Sequence, residues 1–219
     1  MESKRHQKLY EHYTSYFGQE PKFSLKLKKN VLPEGMKPIT TYVFEPTDEM
    51  PFWKLCTIGA SDFLMPEREI GWGRKANRRN EYMMLISPDV NVCPVSDDEV
   101  QNPSATNWLF LNSLLWSTAQ YPYVENDNIT VSDTIDMGLD GKYCGTVLLL
   151  PEAFKSPKIV KCYISEHKYI SIFQVMPITR ELLSKKLKKG TNGVYWLMEY
   201  FYTHDDDYHL TASKPFATL

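Results

Sequence analysis

Two pairs of β-branched and aromatic runs lie so close together that each pair can only fold as a hairpin. Residues 39–45 (Ile39 to Glu45) form the first run, ended by Pro46. The turn Asp48-Glu49-Met50-Pro51 leads directly into Phe52 to Ile58. Farther on, Val160 to Ile164 and Tyr169 to Val175 are separated only by Ser165-Glu166-His167-Lys168. A parallel pairing needs a crossover of a dozen or more residues, so strands joined this tightly must run antiparallel. Tyr82 to Ile86 is a further strand, closed by Ser87-Pro88-Asp89, and residues 129–135 form a short possible one. Thr146 to Leu150 is apolar enough for a central strand and is bounded by Pro151.

Helical spacing appears between these runs. Leu9, Tyr13, Tyr16 and Phe17 place one apolar face on Lys4 to Phe17, and Gly18 supplies a stop. Trp108 to Tyr121 reads as a second helix, stopped by Pro122. Thr179 to Lys189 is a third, with Thr179 as N-cap, lysines in the last turn and Gly190 as C-cap. Gly193 to Tyr202 reads as a helix or a strand. Residues 66–79 and 91–105 read as connections, and 203–219 as a polar C-terminal tail. No Pro/Gly/Ser linker divides the chain convincingly. The expected architecture is a single α+β domain over residues 1–202: a mostly antiparallel mixed sheet with helices packed on it.

Composition narrows the function classes. The chain has 219 residues, 42% of them hydrophobic and 13% aromatic, which is enough for one sizeable core and excludes disorder as the main state. A formal net charge of -2 gives no whole-chain attraction to nucleic acid or anionic lipid. The N-terminus lacks the apolar segment of a secretory signal, and no run approaches the ~18 apolar residues of a membrane span. The four cysteines (Cys56, Cys93, Cys144 and Cys162) are widely spaced among apolar or β-type neighbours. Free thiols in a reducing cytoplasm are the expectation, with no disulfide framework and no zinc knuckle.

No Walker, GxGxxG, GxSxG or HExxH pattern occurs, and each of those is built around a turn or ligand geometry that its chemistry requires. No catalytic residue, cofactor or metal site is therefore assigned. The sharpest metal-like cluster, His204-Asp205-Asp206-Asp207-Tyr208-His209, reads first as a solvated tail. Glu45, Asp48 and Glu49 sit at an exposed turn, where paired carboxylates lack the burial that separates their pKa values. Arg68, Arg74, Lys75, Arg78 and Arg79 make residues 66–79 basic around Trp72. That combination suits a solvated loop, an acidic protein partner or, least, nucleic acid. The run Asp97-Asp98-Glu99 could meet a basic partner, or be simply solvated. Trp53 reads as core and Trp72 as a possible exposed anchor, since interface hot spots favour Trp and Arg.

Several motifs, taken in order, carry a family resemblance. Phe52, Leu55, Thr57, Gly59, Ser61, Asp62 and Met65 match the pattern F-x-x-L-x-T-x-G-x-S-D-x-x-M. Asn80 to Leu85 resembles an E-L-M strand, with Tyr82 where leucine is usual. Trp108 to Pro122, Leu148 to Pro151, and Phe173 to Ile178 with Glu181-Leu182 match later signatures. Together these resemble the suppressor-of-fused family over roughly residues 5–200. One departure is Asp133, which stands where many members carry histidine. The resemblance implies an α+β domain and a protein partner. The animal protein clamps a transcription-factor peptide against a further C-terminal domain for which this chain has no room, so that clamp is not carried over. The resemblance points to single-domain bacterial members, implicated as immunity proteins that neutralise cognate toxins. The expected function is thus a non-enzymatic, cytoplasmic protein-binding protein of that kind, with no direct nucleic-acid or membrane contact. A peptide-binding adaptor using a sheet edge is the alternative. Asp62, Trp72, Arg74, Arg78, Asp97, Asp98 and Glu99 are the candidate partner-binding residues, although Asp62 reads first as a turn cap, with a partner contact as its alternative.

Overall fold

A computed structural model describes residues 3–27, 32–96, 107–151, 153–154 and 156–204. Helix α1 (Lys4–Phe17) begins where the Ser3 side chain accepts the His6 N–H at 3.2 Å and ends at Gly18 in left-handed backbone, φ 64°. Eight strands follow: β1 (Phe23–Lys26), β2 (Thr40–Phe44), β3 (Trp53–Ile58), β4 (Asn80–Ile86), β5 (Thr134–Asp136), β6 (Gly145–Leu149), β7 (Lys161–Ser165) and β8 (Lys168–Ile178). Helix α2 (Asn107–Glu125) separates β4 from β5, while α3 (Arg180–Lys188) and α4 (Gly193–His204) follow β8.

The strands form one mixed sheet in the order β1-β2-β3-β4-β8-β6-β5, with β7 also paired to β8. Every pairing is antiparallel except β4–β8, where Asn80 lies opposite Ser171 in parallel register. Both tight hairpins, β2–β3 and β7–β8, form as the turn lengths require. The single parallel pair has the long connection it needs, since α2, β5, β6 and β7 all intervene.

Helices cover both faces, so β3 and β4 are buried at every position. Alternation along the strands assigns the layers. Val43, Leu55, Tyr82, Met84, Leu148, Phe173 and Val175 face α2, whose Trp108, Leu111, Leu115 and Ala119 pack on them. Phe44, Cys56, Ile58, Met83, Leu85, Ile170 and Ile172 face α1 through Leu9, Tyr13 and Phe17. On this same side, Val147, Leu149, Met176 and Ile178 receive Leu182, Leu183, Leu197 and Phe201 of α3 and α4. The sheet is open, and the whole is one α+β domain. Cys56, Cys144 and Cys162 are buried, Cys93 is half-buried, and all four are free.

One local expectation needs correction, and two elements go beyond the sequence reading. Pro122 does not stop its helix; α2 continues to Glu125 with Pro122 inside and buried. An interior proline costs roughly 3 kcal/mol. Here the last turn is held by Tyr123, which donates to the Glu34 carbonyl at 2.6 Å and packs on Phe63. Strand β1 carries no strong sequence signal because only Leu25 is buried in its four residues. The ambiguous segment from Gly193 is a helix, decided by Leu197 and Phe201 falling four apart on the α3 face. Residues 205–219, which hold most of the expected tail and of the His/Asp cluster, lie outside the described residues.

One buried charge stands out under α1. Lys54 has no exposed surface; its ammonium donates to the Glu45 carbonyl and lies 5.6 Å from the Phe17 ring and 5.9 Å from the Phe52 ring. Burial holds it down to about 8, against 10.5 for free lysine. A folded-state value below the unfolded one means that the folded lysine carries a penalty wherever both states are protonated. That penalty, about 3 kcal/mol, is full below pH ~8 and relieved as pH rises toward ~10.5. Lys54→Met should therefore be more stable than the parent at pH 7, by ~1–3 kcal/mol once the lost carbonyl bond is counted. The advantage should shrink toward pH 10 in denaturant melts of the two proteins. An advantage independent of pH would show that Lys54 is not held as a buried charge.

Candidate functional site

The most constrained turn in the molecule follows β3, and a buried carboxylate builds it. Glu81 in β4 has no exposed surface. Its Oε1 accepts the backbone N–H groups of Gly59 at 3.0 Å and Ser61 at 2.9 Å, and its Oε2 accepts the Thr57 hydroxyl at 2.7 Å. Thr57 Oγ1 in turn accepts the Tyr82 N–H at 2.9 Å. Burial pushes the Glu81 carboxyl up, and the donated hydrogen bonds oppose that shift. Gly59 has φ 121°, and a Cβ there would lie 2.6 Å from the Pro38 carbonyl oxygen. No side chain fits at that position. The matched pattern Thr57, Gly59 and Ser61 is thus a carboxylate cradle read along one strand of the pair.

Asp62 closes this turn against α1. Its Oδ1 accepts from Arg5 at 2.9 Å, and its Oδ2 lies 3.1 Å from His6 Nε2 and 3.6 Å from Lys37 Nζ. Burial works to raise the Asp62 carboxyl, yet His6, Lys37 and Arg5 together hold it below its usual value. The hydrogen bond to Asp62 lifts His6 above its own. The main-chain carbonyl of Asp62 also accepts from Arg79 at 3.3 Å. The carboxylate anchors the N-terminal helix.

From Asp62 the chain rises into a hairpin rather than an irregular loop. Main-chain hydrogen bonds join Met65 to Arg78 at 3.0 Å, Ala76 to Arg68 at 2.9 Å and Ile70 to Arg74 at 2.9 Å. Its base is pinned. Arg68 forms a two-pronged pair with Asp133, with Nη2 to Oδ1 at 2.9 Å, and donates to the Asn128 carbonyl at 2.7 Å. Asp133, the departure from the histidine of the resembling family, therefore has a partner of its own. Arg78 Nε donates to the Met65 carbonyl at 2.6 Å, and Lys75 pairs with Glu67 at 2.5 Å.

At the tip, Gly71, Trp72 and Gly73 all take positive φ, at 92°, 56° and 69°. Left-handed backbone costs a tryptophan roughly 1–2 kcal/mol, and its side chain is 96% exposed. A large aromatic held in strained backbone and surrounded by water recovers nothing from the fold. Ile70 and Leu64 on the same hairpin are also exposed. Arg74 beside the tip is exposed and makes no ion pair among the described residues.

The structure thus separates the candidate residues. Trp72 and Arg74 form the free tip, Arg78 serves the hairpin base, and Asp62 serves the turn. Asp97, Asp98 and Glu99 lie outside the described residues. Trp53 is buried, as expected. The residue missed by sequence reasoning is Glu81; a carboxylate opening an otherwise apolar strand was its signal. Among the described residues no three His, Cys, Asp or Glu side chains converge as metal ligands, and no helix is long and apolar enough to cross a membrane.

An open mixed sheet covered by helices on both faces defines a class of scaffold already represented among solved structures. A crystal structure of a SUFU (suppressor of fused protein) homolog from Neisseria gonorrhoeae FA 1090 superposes with a TM-score of 0.58 at 14% identity, covering 96% of this chain and 98% of that one. The Sufu–Fu complex superposes with a TM-score of 0.53 at 13% identity, covering 87% of this chain and 82% of that one. None of the curated proteins matches the sequence. Residues 35–206 match the family model described as suppressor of fused protein (SUFU). The chain belongs to the suppressor of fused family.

Proposed function

We propose that this chain is a non-enzymatic protein-binding protein of the cytoplasm, acting as an immunity protein. It would neutralise a cognate toxin by covering the toxin's active site or basic substrate cleft. The observation that carries the protein-binding reading is the pinned hairpin presenting Trp72 and Arg74 to solvent, the residue types that dominate interface energetics. A family relative solved as the Sufu–Fu complex supports a protein as the partner class. The toxin itself is inferred from the single-domain bacterial members that this chain resembles.

Capture of the tagged chain from its host, with co-encoded neighbours expressed alongside, tests the reading. The expected result is a stoichiometric complex with an enzyme whose activity falls on binding. Capture of regulatory proteins alone would overturn the immunity role. If the toxin presents a basic cleft, charge reversal at Asp97, Asp98 and Glu99 should slow association roughly tenfold at low salt while leaving dissociation nearly unchanged. An unchanged on-rate would remove that acidic run from the interface.

A second reading, a peptide-binding adaptor, is favoured by the open sheet. Strands β1, β5 and β7 each have a strand neighbour on one side only among the described residues, and an added peptide strand can pair with such an edge.

A further inference from the structure

The edge of β7 differs from the other two because it floors a groove. Helix α1 presents Lys8, Glu11, His12, Ser15 and Tyr16 along one face at helical spacing, and the turn before β7 supplies Lys158; along β7 itself the buried Cys162 faces α1, while Lys161 and Tyr163 project on the opposite face beside Tyr169. The groove between them has a volume of about 900 Å³. That is the upper end of the range for ligand sites, although this one is an open trough.

The backbone of β7 is oriented to receive a strand. In β8, Ser171 N–H donates to the Arg79 carbonyl at 3.0 Å, and the Tyr169 carbonyl accepts from Asn77 at 3.1 Å. Both residues therefore direct their main-chain groups toward β4. Ile170 between them points the other way, to Cys162 of β7. Successive residues alternate in direction, so Tyr163, opposite Tyr169, turns its N–H and C=O outward from the sheet. The next carbonyl, Ile164, accepts from Lys8 Nζ at 2.7 Å.

Charge selects the occupant. Lys158 and Lys161 are exposed and form no ion pair among the described residues; the Lys161 ammonium lies 4.8 Å from the Tyr169 ring. Among the described residues the groove carries the Lys8 and Lys158 ammonium groups against the carboxylate of Glu11, and Lys161 flanks the same edge from the opposite face. Burial pulls His12 below its ordinary value, while its Nε2 sits 3.3 Å from the Ile159 carbonyl. Lysines along an edge also discourage pairing with another copy of the same edge. They attract a strand of opposite charge. Tyr163, 58% exposed on the face away from α1, offers that strand an aromatic neighbour.

We infer that the groove between α1 and β7 binds an extended acidic peptide segment of a partner protein, added as a strand to the outer edge of β7. The inference rests on the adaptor reading and deepens it by naming the edge and the peptide chemistry.

The test is selection of a displayed library of random ten-residue peptides on the full chain. Selected peptides are then measured by fluorescence anisotropy and by amide exchange of the chain. Enriched peptides should be acidic and rich in β-branched residues. They should slow exchange of the Tyr163 N–H, and lose at least tenfold affinity for Lys158→Glu/Lys161→Glu. Affinity should also fall several-fold between about 50 and about 300 mM salt. Both lysines are exposed, so the fold should survive. If the reversed variant does not fold, Lys158→Gln/Lys161→Gln gives the same reading with a smaller loss. Peptides that bind but protect β1 or β5, or whose affinity ignores the lysines, would overturn this inference and leave an adaptor intact. A library yielding no binder at all would overturn both.

Discussion

Trp72→Ala should weaken binding to the captured partner by about 30-fold or more while leaving the melting temperature almost unchanged. The first half of that expectation follows from the indole's size and exposure. A tryptophan that becomes buried at an interface centre is commonly worth 2 kcal/mol or more, and each 1.4 kcal/mol is a factor of ten. The second half follows from its surroundings. The side chain is 96% exposed in the free protein, so its removal empties no cavity. The loss should appear in the dissociation rate, because the contact is short-ranged. Arg74→Ala should cost less and depend on salt. Tyr195→Ala is the control: that ring is 76% exposed but lies on α4. Surface plasmon resonance of the three variants decides the matter. Affinity unchanged by Trp72→Ala, or lost with Tyr195→Ala instead, would move the interface away from the hairpin.

Glu81→Ala should be the most damaging single substitution in this region for stability, lowering it by roughly 3 kcal/mol, or about 6–12 °C in melting temperature for a chain this long. Two backbone N–H groups and the Thr57 hydroxyl lose their acceptor, and no solvent reaches the site to replace it. Removing a costly buried carboxylate offsets part of that loss, which is why the figure is not larger. Glu81→Gln separates the causes. Its amide oxygen can still accept from Gly59 and Ser61, while its NH2 can donate to Thr57 Oγ1, so about 1 kcal/mol is expected. If the two variants melt alike, the negative charge matters and the hydrogen-bond geometry does not.

Much of the architecture was legible because it is written in local terms. Gaps of six and four residues between β-type runs dictated the β2–β3 and β7–β8 hairpins, and Gly18 and Thr179 marked helix ends through backbone and capping chemistry alone. What the sequence misread or left open depends on distant partners. Pro122 is carried inside α2 because Tyr123 is tethered to Glu34 across the fold. The segment after Gly193 is helical because α3 is there to cover Leu197 and Phe201.

The site divides in the same way. Sequence alone singled out Trp72, Arg74 and the turn motif from Thr57 to Asp62, since rare residue types and a recurring pattern are visible in one dimension. It also limited the chain to one α+β domain and supplied no catalytic motif. Only the tertiary structure decided that Asp62 anchors α1, that Arg68, Lys75 and Arg78 pin a hairpin, and that Trp72 is left in water. The reason is physical. Burial and charge pairing depend on residues far apart in the chain, such as Arg68 and Asp133 at 65 positions, and a chain has no local record of which distant group will arrive to satisfy them.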